Sequence, residues 1–243
     1  MPLPDIPTTV IVPVVTVTTG TLIVHELWGT AFLVRPGIFM SAKHVFGISV
    51  PQDHTLSVVY LRGSGVEPVA IPITSVYSDP NYDIAIARAE RWPRNDALDL
   101  AADDQLAMNH NVLTVEYSNP DRSVLLEDGR MAMNIGPNWH KGYMVREYVA
   151  QFGHQNPTAC LDLSFPAFKG ASGAPVVEEH SGRVLGMIVA NVERHLLPAY
   201  MERIERSDRT IDEVRYFAPY AQAIMARHLR PTLEAGIESL AGR

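Results

Sequence analysis

Between Val10 and Phe217 the apolar residues fall into short runs, each closed by glycine, proline, asparagine or aspartate, and this rhythm restricts the chain to an architecture of many short strands. Strands are predicted at Val10 to Val17, Thr21 to Val24, Gly29 to Val34, Ile38 to Ser41, Leu56 to Leu61, Val69 to Tyr77 and Ile84 to Arg88. Their turns are Pro36-Gly37, Gly63-Ser64-Gly65 and Asp79-Pro80. After a polar connection from Arg91 to Asp104, a second set follows at Asn111 to Tyr117, Val124 to Leu126, Met131 to Asn134, Tyr143 to Val149, Ala159 to Leu163, Pro175 to Val177, Val184 to Val192 and Val214 to Phe217. An all-β fold of two antiparallel barrels, about six strands each, fits this count, the first over about 9–100 and the second over about 105–217. Only the end of the chain has helical spacing. Tyr220, Ile224 and Leu229 share a face after Pro219, Pro231 interrupts, and Leu233, Ile237 and Leu240 resume, so a C-terminal helix is expected over about 219–240.

The chain has 243 residues, enough for one large domain or two small subdomains that share a cleft. Its formal charge is −7, from 20 basic and 27 acidic residues, with no lysine or arginine cluster, which argues against a nucleic-acid partner. Cys160 is the only cysteine, so no internal disulfide can form and a reducing, cytoplasmic setting is expected. The apolar run Val10 to Val17 contains Pro13, has no basic residue before it and is too short to span a bilayer; neither a signal peptide nor a membrane partner is expected. None of the nine histidines sits at a metal-ligand spacing with acids or Cys160, so no metal or cofactor is expected.

Three local patterns carry chemistry. Lys169-Gly170-Ala171-Ser172-Gly173-Ala174-Pro175 places a serine among small residues whose backbone N–H groups can converge beside its hydroxyl. Ile38-Phe39-Met40-Ser41-Ala42-Lys43-His44 runs a strand into a histidine, and Asp79-Pro80-Asn81-Tyr82-Asp83-Ile84-Ala85-Ile86 places an aspartate just before an alternating strand. Singly, the serine loop reads as a turn, His44 as a core histidine and Asp83 as a strand-edge cap. Together they supply a nucleophile, a base that can take its proton, and a carboxylate that can orient the base.

In that order and in those frames the three motifs resemble the trypsin-like (chymotrypsin-fold) serine proteases over roughly Gly29 to Phe217, with Lys43 where the family usually has a small residue. The resemblance implies catalysis by His44, Asp83 and Ser172, an oxyanion hole from the N–H groups of Gly170 and Ser172, and a protein or peptide substrate. It also implies that the C-terminal helix docks on the second barrel. Ala171 stands where the secreted zymogen branch has the aspartate that pairs with a freed N-terminus, so the likeness is to the intracellular, non-zymogen branch of HtrA-type protease domains. Pro166 stands six residues before the nucleophile, where trypsin-type enzymes place a carboxylate, which disfavours Lys or Arg as the P1 side chain and leaves a small or apolar one. The opposite pocket wall is expected from Val189-Ala190-Asn191-Val192. Asn191 is open to two readings, a ligand for backbone or a polar P1 group, or a strand-end turn residue.

The segment from Glu193 to Thr210, rich in alternating charge, reads as a solvated short helix or loop, with a lid over the pocket as the sharper alternative. The stretch Gly136 to His154, with Trp139 and His140, reads mostly as loop. Cys160 is expected in buried packing. Two competing classes remain: a non-catalytic protein-binding module on the same fold, and an esterase, whose usual Ser, Asp, His order differs from the His, Asp, Ser order here. An active cytoplasmic protease also needs restraint, by a regulatory partner, a conformational switch or narrow substrate choice.

Overall fold

The structure, a computed structural model, describes residues 8–20, 23–60, 68–102, 110–118, 123–125, 131–133, 135–151, 155–195, 201–205, 211–215 and 217–242. Its first half contains β1 (Ile11–Thr18), β2 (Val24–Arg35), β3 (Ile38–Ser41), the short α1 (Lys43–Phe46), β4 (His54–Tyr60), β5 (Val69–Ser78) and β6 (Ala85–Ala89). The second half contains β7 (Asn111–Glu116), β8 (Ser123–Leu125), β9 (Met131–Met133), β10 (Asn138–Ala150), β11 (Thr158–Leu163), β12 (Pro175–Glu178), β13 (Val184–His195), β14 (Met201–Glu205), β15 (Ile211–Arg215), β16 (Phe217–Met225) and α2 (Ala226–Ala241). Two sheets close into six-stranded antiparallel barrels, in the orders β1-β2-β3-β6-β5-β4 and β10-β11-β16-β13-β12-β7. The two-barrel fold expected from strand rhythm is thus the one observed. The Val124 to Leu126 and Met131 to Asn134 runs, counted toward the second barrel, instead form a separate two-stranded sheet, β8-β9.

Three expectations along the chain are corrected. Of the Thr21 to Val24 run, Thr21 and Leu22 lie outside the described residues and Val24 opens β2, the same strand that contains Gly29 to Val34; its pairing with β1 shifts register at Val14/Val15 and Thr16/Val17 instead of breaking. Residues 217–225 are a strand and not the start of the helix; β16 completes the second barrel between β11 and β13. In the Glu193 to Thr210 segment the described residues are strand and not helix or loop, because β13 runs on to His195 and β14 pairs with β15. Pro219 misleads because proline opens helices, whereas here it lies where β16 pairs only with β13, opposite Glu193, and pairing with β11 begins later, at Ala221. Pro13, Pro72 and Pro175 occupy the same kind of position, laddered on one side only, where a missing N–H breaks no bond.

Helix α2 continues through Pro231. Where the resemblance implied docking on the second barrel, the helix also covers the first: Gly236 lies so close to Ile86 and Tyr77 that a Cβ would come within 2.6 Å of the Ile86 side chain. Arg230 donates to the carbonyls of Ala101, at 2.8 Å, and Leu100, at 2.6 Å, in the segment that joins the barrels. That segment is bound to both sides, since Leu98 N–H donates to Leu33 and Val184 N–H to Asp99.

The barrels meet at Thr30, which is fully buried on β2. Its N–H donates to the Ser172 carbonyl at 2.9 Å. Its hydroxyl donates to the Gly170 carbonyl at 2.9 Å and accepts the Tyr117 N–H at 2.9 Å, while its own carbonyl accepts Ser41 Oγ at 2.7 Å. Tyr117 adds a second tie, its hydroxyl donating to the Ile11 carbonyl at 3.1 Å. Burial holds that phenol protonated well above its ordinary range, so it serves as a donor throughout. Replacing Thr30 with the near-isosteric Val strands the Gly170 carbonyl and the Tyr117 N–H, and is expected to cost about 2–4 kcal/mol, read as a lower urea midpoint with Thr30→Ser largely retained. A Val variant as stable as the parent would remove Thr30 from this role.

Cys160 lies fully buried on β11, and that burial pushes its thiol up to about 12 from an ordinary 9.0. The folded chain therefore keeps its proton where the unfolded chain loses it, so this group's contribution falls as pH rises from about 9 toward about 12. Iodoacetamide at pH 8 is expected to leave the native thiol unmodified and to alkylate it in urea; rapid native alkylation would contradict this.

Candidate active site

A missing side chain lets the segments that carry His44 and Ser172, the candidate base and nucleophile, both press on β2. A Cβ on Gly29 would fall 2.7 Å from the Ser172 carbonyl oxygen and 2.7 Å from a methyl of Val45, the neighbour of His44, so only glycine lets both loops press on β2 at this point. The short helix α1 follows β3 directly and carries His44 at its start. The next-but-one strand in chain order, β5, leads into the acid turn, where Asp79 organises the backbone. Asp79 is 7% exposed; Oδ1 accepts the N–H of Asn81 at 2.8 Å and of Tyr82 at 3.1 Å, and Oδ2 accepts the Thr232 hydroxyl of α2 at 2.5 Å. The Lys43 ammonium donates to the Asp79 carbonyl at 2.7 Å. Lysine at this place, unusual for the motif, thus ties the base's helix to the acid's turn. From behind, the His228 ring of α2 packs on Tyr82 with centroids 4.6 Å apart.

This turn sets Asp83 against His44 twice. Oδ2 lies 2.7 Å from Nδ1 of the imidazole, and Oδ1 accepts the His44 backbone N–H at 3.1 Å. A carboxylate only accepts, so the proton of a neutral His44 resides on Nδ1 and Nε2 is left with its lone pair. The His44 side chain is about half exposed, at 49%, and Asp83 is mostly covered, at 18%. The imidazole is thus open to solvent while the carboxylate that holds it is shielded.

Gly170 and Gly173, at φ +107° and +89°, shape the nucleophile loop. A Cβ on Gly173 would lie 2.0 Å from the Thr30 carbonyl, and one on Gly170 2.3 Å from the Tyr117 carbonyl. Within the loop, Ala171 N–H donates to Phe168 and Gly173 N–H to Ile188. Among the described residues, the N–H groups of Gly170 and Ser172 have no hydrogen-bond partner. The Ser172 hydroxyl, part-buried, donates weakly to the Val189 carbonyl at 3.4 Å, and no hydrogen bond joins it to His44 among the described residues. Ala171 is buried, at 1% exposure, and leaves no space for a charged partner.

The expected pocket residues lie on two facing segments. Pro166 is half-buried in the loop from Phe165 to Phe168, and Ala190 and Asn191 are on β13, two steps beyond the Val189 carbonyl that receives Ser172. The Asn191 carboxamide bonds the backbone of Ala167, its Oδ1 accepting the N–H at 2.7 Å and its Nδ2 donating to the carbonyl. Trp139 and His140 are on β10 and not in a loop, a correction; His154 lies outside the described residues. His140 contacts the rear of the pocket loop, 5.6 Å from Phe165 and 5.7 Å from Phe168 between ring centroids. Its Nε2 is 3.0 Å from Oε1 of Glu116, a buried carboxylate on β7. Among the described residues no group of three or more His, Cys, Asp or Glu could hold a metal ion.

The sequence had assigned no role in the site to Thr30, Glu116 or Thr232, and to Asp79 only a place in a turn. Only Asp79 carried a signal, as an Asp-Pro turn residue two and three positions ahead of the N–H groups it receives.

Two closed six-stranded antiparallel barrels with a C-terminal helix define a chymotrypsin-like fold. The family model of the trypsin-like peptidase domain matches residues 29–187, well over half of the chain, and the protein belongs to that family. No curated protein matches it. Among solved structures, the Rv3671c protease of M. tuberculosis in its inactive form is similar at 16% identity and a TM-score of 0.56, over 96% of this chain and 92% of that one. The HtrA-type protease AlgW with a decapeptide is 14% identical at a TM-score of 0.61, covering 95% of this chain and 65% of that one. The MamO protease domain from Magnetospirillum magneticum is 12% identical at a TM-score of 0.56, over 92% of this chain and 95% of that one. These likenesses are of fold.

Removing the Asp79 carboxylate frees two part-buried N–H groups and the buried Thr232 hydroxyl. Asp79→Ala is expected to destabilise the chain by about 2–4 kcal/mol and to broaden or shift the NMR signals of His44 and Asp83. Unchanged signals would show that the acid turn stands without it.

Proposed function

We propose that the chain is a serine endopeptidase of proteins or peptides, with Ser172 as nucleophile, His44 as general base and then acid, and Asp83 as orienting carboxylate. The observation that carries this reading is the double grip of Asp83 on the ring Nδ1 and the main-chain N–H of His44, which orients an otherwise half-exposed imidazole with its free Nε2 toward the cleft. In the reaction, His44 Nε2 takes the Ser172 proton as Oγ adds to the substrate carbonyl. The same proton passes to the leaving amine, and water then releases the acyl group by the reverse path. The N–H groups of Gly170 and Ser172 receive the oxyanion, each contributing about 3 kcal/mol. The Ser172 to His44 contact forms as substrate closes the site, since such bonds are often long in a substrate-free enzyme.

The unengaged N–H pair favours an enzyme over a binding module with a collapsed oxyanion loop. Buried Ala171, and β1 held in the barrel from Ile11 onward, favour activity that needs no insertion of a cleaved N-terminus. Pro166 favours P1 residues other than Lys and Arg. A single buried cysteine suits a reducing, cytoplasmic setting; no helix among the described residues is long and apolar enough to cross a membrane. Control by a regulatory partner fits an enzyme of this kind.

A fluorophosphonate probe is expected to label the protein stoichiometrically and to leave Ser172→Ala unlabelled. Labelling that persists in the Ser172→Ala variant would overturn the assignment, and absence of labelling in both proteins would favour the binding module.

A further inference from the structure

We infer that Asn191 is a crossbar over the primary specificity pocket that restricts P1 to small side chains such as alanine, serine or valine; this rests on the serine peptidase reading above. The pocket's two walls, 165–168 and 189–191, flank the nucleophile. The first runs into it through Lys169 and Gly170, and the second begins at the carbonyl 3.4 Å from Ser172 Oγ. The Asn191 carboxamide reaches from one wall to the other and pairs with both polar groups of the Ala167 peptide unit. Its oxygen and its nitrogen are each engaged, so the amide serves the wall and is not left over to recognise a polar P1 group.

Neither wall can easily retreat to make room. Phe165 is fixed in front, where its carbonyl accepts the Ala221 N–H at 2.7 Å, and behind, where its ring stacks on His140. His140 is in turn anchored on the buried Glu116. Phe168 accepts the Ala171 N–H at 2.9 Å, which couples this wall to the nucleophile loop. On the other side, Ala190 and Asn191 pair with Gln222 and Ala221 of β16. A large P1 side chain would therefore have to break both amide bonds and displace the carboxamide, whereas a methyl or hydroxymethyl group stops short of it.

The test compares two peptidyl diphenyl phosphonates that differ only at P1, with the alanine or the phenylalanine analogue, by their rates of covalent labelling of the full chain. Wild type is expected to react about 100-fold faster with the alanine probe, and Asn191→Ala to lower that ratio by about 10-fold or more, in line with the discrimination that pocket shape can supply. Hydrogen exchange at the Ala167 amide provides a second readout, protected in wild type and faster in Asn191→Ala. A P1 ratio that stays the same in Asn191→Ala, or a wild type that prefers the phenylalanine probe, overturns the crossbar while the peptidase reading stands. If neither phosphonate nor a small fluorophosphonate labels wild type, the peptidase reading fails and the crossbar fails with it.

Discussion

Everything functional in this molecule depends on a single buried threonine meeting a loop from the other barrel. Each barrel closes on itself, so neither needs the other to satisfy its main-chain ladder. What aligns them is the set of bonds around Thr30, reaching Ser172, Gly170, Tyr117 and Ser41. Ser41 ends the strand that leads to His44, and Gly170 and Ser172 frame the nucleophile. The same residue, through its N–H and carbonyl as well as its hydroxyl, thereby ties the strand that leads to His44 and the loop that carries Ser172 to one point on β2. Buried polar groups arranged this way are costly when left unpaired, which makes one relative placement of the barrels much better than its neighbours.

A second layer of order surrounds the acid. Asp83 does not hold its position through its own strand alone; Asp79 folds the turn, Lys43 clasps it from the base's side and Thr232 from the terminal helix. Helix α2 is therefore part of the support for the hydrogen-bonded pair of Asp83 and His44. This explains why it lies across β5 and β6 as well as the second barrel, an arrangement a simple cap on one barrel would not require.

Much of this was legible in the sequence, and the failures are informative. Strand rhythm identified both barrels because side chains alternate between core and surface, and β3 was placed residue for residue. The three motif residues were legible because each needs a distinctive neighbourhood: glycines at Ser172, a strand end at His44, a turn at Asp83. Pro219 was misread because proline has two opposite uses, and only the pairing partner decides between them. Thr30, Glu116 and Thr232 were invisible because their roles come from residues far away in the chain, 140 positions in the case of Thr30 and Gly170. Asn191 was half legible: its place on the pocket strand was clear, but its partner Ala167 was not.

The four strand prolines have a consequence beyond pairing. Wherever a barrel strand overhangs its neighbour, the overhang presents main-chain groups that another chain could extend as a new strand. In β5 and β16 that stretch contains an exposed proline, Pro72 or Pro219, while in β1 and β12 the proline, Pro13 or Pro175, is itself buried. Proline offers no donor and resists a continuous ladder. Of these four stretches, two are thus poor templates for strand addition because of an exposed proline, and two are covered by the packing around a buried one.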